Sequence, residues 1–168
     1  MSVTNDDALF AKNADPDRIE VGESSAPSTR KYLIFMIEDS DGSELKLGVD
    51  AESVVEILNS YSVTYLPMMP DYVCGIFNMR GQIIPVMDIR LRLGKVSEKR
   101  GLLIVLSYNE QPLGILVDAV DRIIDIDEHE ISSVPSNESS RFVSGMCTIP
   151  DLTGTMLVLN CEQLFDHE

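Results

Sequence analysis

Short apolar runs separated by turn residues fill the chain from Lys31 onward. The runs are rich in Val, Ile, Leu and Tyr, and the segments between them include DSDG, LPMMPD, NMRGQ and TIPDLTG. Many short strands at a spacing of roughly 8–12 residues are typical of β-sandwiches and barrels, not of alternating strand–helix units. The pattern predicts strands at about Tyr32–Glu38, Glu44–Val49, Val54–Leu58, Ser62–Leu66, Val73–Asn78, Ile83–Met87, Leu102–Tyr108, Leu113–Val117, Arg122–Ile126, Val143–Met146 and Met156–Leu159.

Two short helices fit the segments between and after these strands. Asp88 can cap a helix over Ile89–Leu93 that ends at a left-handed Gly94. Asn160 can cap a helix over Cys161–Phe165, with Gln163 completing a capping box. The predicted fold is therefore all-β, with a first barrel over about 31–88, a connector over 89–100, a second barrel over about 101–160 and a C-terminal helix over 161–166.

Residues 1–30 have a different texture and are interpreted as an acidic tail. They contain Asp, Ser, Pro, Asn and Gly with no sustained hydrophobic period. Such a segment buries too little apolar surface to offset the entropy lost on ordering, so we expect disorder. A short helix around Asp7–Lys12 is the alternative.

The charge balance narrows the possible partners. Lys and Arg number 13 against 28 Asp and Glu, a net charge of −15, which argues against general binding of nucleic acid or anionic membrane surfaces. The sequence contains no basic segment followed by an apolar stretch at its start, and no apolar run of about 20 residues. We therefore expect a cytoplasmic protein with no direct membrane insertion. Three widely spaced cysteines fit a reducing compartment and small buried side chains.

The chain offers little for catalysis. His129 and His167 are its two histidines, and neither lies near a Cys or another His at the spacing of metal ligands. No glycine-rich phosphate loop is present, and no pair of carboxylates stands out. We expect no enzyme, no catalytic residue, no metal and no cofactor, which leaves binding.

The segment from Val73 to Asp88 is the most informative about binding. Two apolar strands flank Asn78–Gln82, a length that suits a hairpin in which Gly81 takes a positive φ. Arg80 would then project from a rigid turn, where a guanidinium can grip a carboxylate with two hydrogen bonds. An ordinary exposed arginine, or one paired with an acid of this chain, is the alternative.

Strand alternation in Ala51–Leu58 separates two sets of side chains. We expect Val55 and Ile57 to face the core, so that Val54 and Glu56 form a small outer contact patch; scattered surface apolar residues are the alternative.

Charge is also distributed unevenly along the chain, since the stretch 80–100 is basic and the stretch 118–130 is acidic. Opposed patches of this kind can orient protein partners, or they can be merely solvated faces.

These residues carry a resemblance to the CheW-type chemotaxis coupling proteins. It spans about residues 31–166, with Met79 in place of the usual leucine and Asn160 in place of the usual aspartate. In order along the chain, the matching elements are Leu66-Pro67, Pro70, Gly75, Asn78-Met-Arg-Gly81, Ile84-Pro-Val, Asp88, Arg90, Gly114-Ile-Leu-Val-Asp118, Val120, Ile131, Phe142-Val-x-Gly145 and Met156-Leu-Val-Leu159.

The resemblance implies two five-stranded SH3-like barrels around a shared core and a non-enzymatic scaffold. It implies an adaptor between chemoreceptor (methyl-accepting chemotaxis protein) cytoplasmic tips and the regulatory domain of a CheA-type histidine kinase, at membrane-associated receptor arrays. Carried over by position, the implied partner-binding residues are Val54, Glu56, Gly75 and Arg80. Gly75 would act indirectly, by permitting the backbone geometry that presents the hairpin.

Two other functions remain open on sequence grounds. The same adaptor could serve a pilus-motility or another alternative chemosensory pathway. A protein of a different class could instead bind a small apolar ligand within the barrels.

Overall fold

A computed structural model of the chain describes residues 28–96, 98–135, 137–151 and 154–166. Most of the predicted tail, including the alternative helix at Asp7–Lys12, lies outside these residues. The first strand begins at Thr29, three residues earlier than predicted from the apolar pattern. Arg30 belongs to it because it pairs with Ile126 in the sheet, and its guanidinium lies 3.1 Å from Asp50 and 2.8 Å from Glu128.

The chain is mostly β-strand, as predicted. The helices are α1 (Ile89–Arg92) and α2 (Cys161–Phe165), and single 3-10 turns occupy Ala51–Ser53, Glu128–Glu130 and Glu138–Ser140. The strands are β1 (Thr29–Glu38), β2 (Glu44–Asp50), β3 (Val54–Leu58), β4 (Val63–Thr64), β5 (Val73–Met79), β6 (Gln82–Asp88), β7 (Leu102–Tyr108), β8 (Gln111–Val117), β9 (Ala119–Asp127), β10 (Ser132–Ser133), β11 (Val143–Thr148) and β12 (Thr155–Leu159).

Every predicted strand is present, and β10 is additional. β4 is shorter than the expected Ser62–Leu66. Both predicted caps form, since the Asp88 side chain accepts from Arg90 N and the Asn160 side chain accepts from Gln163 N. Gly94 has φ +76°, as expected for the stop of α1. The Gln163 side chain differs from the expected capping box, because its Oε1 accepts from Arg141 Nε at 2.9 Å.

The strands form two six-stranded sheets. The order is β10-β11-β12-β2-β1-β9 in sheet A and β3-β7-β8-β6-β5-β4 in sheet B. β1 and β2 thus lie in one sheet with the later strands, while β7 and β8 lie in one sheet with the earlier ones. Two parallel pairs, β2–β12 and β6–β8, make these connections between distant parts of the chain.

Apolar side chains form three clusters, and the largest lies between the two sheets. β1 shows the arrangement: Leu33 and Phe35 face the shared cluster, whereas Tyr32 and Ile34 face a cluster inside sheet A. β7 likewise places alternate side chains in the shared cluster and in a cluster inside sheet B. Strands buried on both faces have continuous hydrophobic sequences, which is why the apolar pattern predicts both of them. The inward face of each sheet is covered by the sheet's own cluster of apolar side chains. This packing argues against a small ligand enclosed there.

A buried ionic network joins the two sheets. Arg90, on α1, has a side chain only 2% exposed. Its guanidinium holds Asp88, at the end of β6, with Nε at 2.8 Å from Oδ1 and Nη2 at 2.9 Å from Oδ2. Its Nη1 donates to Asp118 Oδ1 at 2.8 Å, and Asp118 Oδ2 accepts from Glu38 N at 2.6 Å. The network therefore connects the end of β6 in sheet B to the end of β1 in sheet A.

Candidate interaction surface

The β5–β6 hairpin presents Arg80 as the sequence predicts. Met79 pairs with Gln82, so Arg80 and Gly81 are the two turn residues. Both have positive φ, 53° and 86°, which is the geometry of a tight hairpin turn whose twist matches its strands. The Asn78 side chain accepts from Gly81 N at 2.9 Å and braces the turn. Arg80 keeps a side chain that is 81% exposed.

Glu56 on β3 lies beside this turn. Its Oε2 is 3.6 Å from Arg80 Nη2, and its side chain is 31% exposed. The structure thus brings together two of the residues singled out from the sequence, and it also realises the alternative of an arginine paired with an acid of this chain. An exposed pair at this distance contributes little to stability, so the guanidinium can exchange Glu56 for another carboxylate at small cost.

The two faces of β3 are the reverse of the sequence-based expectation. Val55 and Ile57 are 51% and 41% exposed, whereas Val54 packs against the cluster between the sheets and Leu58 against the cluster of sheet B. Alternation alone does not show which set of side chains faces the core, because both sets contain apolar residues. The prediction that Val55 and Ile57 face the core is wrong, because Val54 and Leu58 anchor the two ends of the strand.

A bulge accompanies this reversal. Val54 pairs with Leu106 and Glu56 with Val105 on β7, so Val55 is an extra residue without a partner of its own. Bulges redirect side chains at the edge of a sheet, and β3 is the edge strand of sheet B. The outer side of β3 is therefore a pair of exposed aliphatic residues next to Glu56, a feature that the strand alternation does not predict.

Gly75 acts through its backbone. It is buried in β5 at φ +141°, in a region that side chains rarely adopt. A Cβ at this position would lie 2.0 Å from Thr64 O on β4. Gly75 therefore lets β4 approach β5.

The remaining candidates for chemistry are accounted for by packing. Burial, with a smaller contribution from Asp88, raises the pKa of the Cys74 thiol to about 11, so it is protonated at neutral pH and a poor nucleophile. Burial also raises the pKa of Cys147 and Cys161. The ring of exposed His129 lies 2.9 Å from Asp127, and His167 lies outside the described residues. Among the residues that the structure describes, no cluster of His, Cys, Asp and Glu is arranged to hold a metal ion.

The buried Arg90 network was also missed by the sequence analysis, although Asp88, Arg90 and Asp118 all belong to the matching motifs. Burial alone would lower the pKa of Arg90, but the hydrogen bonds that Arg90 donates to Asp88 and Asp118 outweigh it, and the pKa is raised. The Asp-x-Arg spacing at the end of an apolar strand was the available signal.

Across the described ranges, no helix has the length and apolar character needed to span a membrane.

Comparison with known proteins places this chain in a family. The sequence profile of the CheW-like domain matches residues 31–168. The chain is 30% identical to the chemotaxis protein CheW of Treponema pallidum over 137 residues, which cover 76% of this chain and 79% of that protein. It is 31% identical to the protein FrzA of Myxococcus xanthus over 86 residues, covering 51% of this chain and 49% of FrzA.

A solved structure agrees with these matches. The crystal structure of the scaffolding protein TtCheW from Thermoanaerobacter tengcongensis superposes with a TM-score of 0.69 at 29% identity, covering 80% of this chain and 90% of that one. The two-sheet fold thus agrees with that of a chemotaxis scaffolding protein. The chain belongs to the CheW-like domain family.

Proposed function

We propose that this protein is a non-enzymatic adaptor that couples the cytoplasmic tips of chemoreceptors to the regulatory domain of a CheA-type histidine kinase. It would act in the cytoplasm, at membrane-associated receptor arrays. Membership of the CheW-like family supports the role of scaffold. The single observation that carries the choice of surface is Arg80, which stands exposed on a two-residue turn beside Glu56.

The geometry of the turn explains why Arg80 suits binding. Positive φ at Arg80 and Gly81 and the Asn78 hydrogen bond fix the backbone, so little entropy remains to be lost when a partner docks. The guanidinium can donate two hydrogen bonds in one plane to a partner's carboxylate. We assign Arg80 and Glu56 as contact residues. Val54 and Gly75 hold β3 and the hairpin in place.

A binding measurement with Arg80→Ala tests this assignment. Association with a receptor cytoplasmic fragment should weaken at least about tenfold, which requires only about 1.4 kcal/mol. Arg80→Lys should restore part of the affinity, because an ammonium cannot reproduce the planar fork. Lys31→Ala is the matched control, since Lys31 is another exposed cation in an ion pair, with Asp125 at 2.9 Å on sheet A.

The same variants should be measured against the kinase regulatory domain. If the kinase docks elsewhere, Arg80→Ala should change that affinity much less than it changes receptor binding. Folding should survive, because substitution of an exposed side chain usually alters stability by no more than about 0.5 kcal/mol. Unchanged receptor binding by a folded Arg80→Ala protein would remove Arg80 from the contact surface.

The same adaptor in a pilus-motility or another alternative chemosensory pathway is the second candidate. The similarity to FrzA of Myxococcus xanthus favours it, although that match covers a shorter part of the chain than the match to the Treponema pallidum CheW. Co-purification separates the two candidates. Recovery of receptors and kinase of a flagellar pathway supports the first, and recovery of pilus components supports the second.

A further inference from the structure

We propose a second docking site, at the opposite end of β6 from Arg80, for a segment of another protein in which an apolar side chain neighbours a carboxylate. The site is an open cavity of about 310 Å³ between the β4–β5 loop, α1 and α2. β6 separates it from the Arg80 turn by roughly 20 Å, at about 3.3 Å per strand residue. Apolar side chains form most of its wall, namely Met69, Pro70, Tyr72, Met87, Leu113 and Leu164.

Arg92 supplies the specificity of this site. Its guanidinium carbon lies 4.0 Å from the ring centroid of Tyr72 and 4.5 Å from that of Phe142. Two aromatic contacts hold a guanidinium in a fixed plane without using its N–H donors. Within the part of the chain that the structure describes, Arg92 Nε is buried and has no hydrogen-bond partner. The stacked Arg92 thus places a preoriented cation at an apolar cavity of a chain whose net charge is −15.

The other charged side chain at the cavity has a cation of its own nearby. Asp166 lines its rim but lies 3.6 Å from Arg141 Nη2. A carboxylate that enters the cavity therefore meets the positive charge of the stacked Arg92 guanidinium. Hydrogen bonds that involve an ionised partner are stronger than neutral ones, so the site should distinguish a carboxylate from an amide of the same shape.

The adjoining loop indicates a protein segment as the occupant. Met68 is 100% exposed, Tyr65 74% and Met69 46%, so the apolar surface continues outward from the cavity over the β4–β5 loop. Methionine side chains adapt to varied apolar partners. Together, a cavity for one side chain, a cation for one carboxylate and an apolar rim match a short acidic segment of a partner protein.

A titration of the full ¹⁵N-labelled chain with two peptides tests the proposal. The probes are a blocked tripeptide of leucine, aspartate and leucine, and the same peptide with asparagine in place of aspartate. The aspartate peptide should shift the amide signals of Met69, Tyr72 and Leu164. The asparagine peptide should bind at least tenfold more weakly. This comparison needs no variant, so it holds whether or not a substitution disturbs folding.

Two variants test whether Arg92 is the residue that recognises the aspartate of the peptide. Arg92→Gln should weaken binding of the aspartate peptide at least tenfold and abolish the preference over asparagine. Arg80→Gln is the matched control and should leave both affinities unchanged, which also separates this site from the receptor-binding surface. Equal binding of both peptides, or shifts elsewhere on the surface, would overturn the proposal.

Two further outcomes would give the cavity a different occupant and would also overturn it. If the full chain forms a dimer that Arg92→Gln dissociates, the occupant is a second copy. If Leu9→Ser in the full chain raises peptide affinity, the occupant is the chain's own Asp-Asp-Ala-Leu-Phe segment at positions 6–10.

Discussion

Gly75 and Gly42 both have positive φ, +141° and +83°, but their surroundings differ. A Cβ on Gly42 would meet nothing within 4 Å, whereas one on Gly75 would meet the backbone of Thr64 at 2.0 Å. Gly42→Ala should therefore cost only the backbone term, about 1 kcal/mol. Gly75→Ala should cost at least about 2 kcal/mol more, because β4 must move away from β5. Urea unfolding of both variants measures the difference.

The consequence for binding follows from the same geometry. Gly75→Ala should lower receptor affinity and stability together, because it displaces the strand behind the hairpin. Arg80→Ala should lower affinity at unchanged stability. If Gly75→Ala proved as stable as Gly42→Ala yet bound receptor poorly, Gly75 would itself be a contact residue.

At the scale of elements, β3 gives the sharpest test because the sequence and the structure disagree there. Val54→Lys should destabilise the fold by about 1–3 kcal/mol, since the new ammonium replaces a side chain packed against the cluster between the sheets. Val55→Lys should change stability by no more than about 0.5 kcal/mol, because Val55 is the exposed bulge residue. Thermal unfolding followed by circular dichroism compares the two neighbours in one assay. A larger loss for Val55→Lys would restore the face assignment expected from the sequence.

The elements predicted well are those whose local signals agree with their burial. β7 was predicted at its observed bounds because both of its faces are buried and its apolar run is unbroken. The turn at Gly81 and the caps at Asp88 and Asn160 depend on a few neighbouring residues, and a sequence displays these directly. β10 was missed because two serines carry no strand signal of their own, and they are ordered by pairing with Met146 and Gly145.

What could not be predicted depends on contacts between distant residues. The residues next to Val54 in the sequence do not indicate which face of β3 meets the core. That face is set by the pairing of β3 with β7, some 50 residues later. The Glu56–Arg80 pair and the membership of β1 and β2 in the sheet of the later strands have the same origin. The Arg80 hairpin itself was predictable, because a two-residue turn and its flanking strands are local.

At the scale of the whole molecule, the two sheets are held by apolar packing and by the Arg90 network. Asp88 and Asp118 have side chains only 8% and 9% exposed, so each depends on Arg90 for compensation of its charge. Removing one member of a buried ionic network leaves uncompensated charge and usually costs about 3–5 kcal/mol. Arg90→Leu should show a loss of this size in urea unfolding.

A double-mutant cycle decides whether that loss comes from charge rather than from packing. Asp118→Asn alone should be costly, because it removes a partner of Arg90 while the cation stays buried. In the Arg90→Leu protein, Asp118→Asn should lower stability much less, or even raise it. The reason is that it then removes a buried carboxylate whose cationic partner is already gone. Arg92→Leu with Asp118→Asn is the matched cycle. Arg92 lies on the same helix but stacks on Tyr72 and Phe142, so these two losses should add within about 0.5 kcal/mol. Additive losses in the Arg90 cycle would show that the network contributes shape alone, and that the shared apolar cluster sets the arrangement of the two sheets.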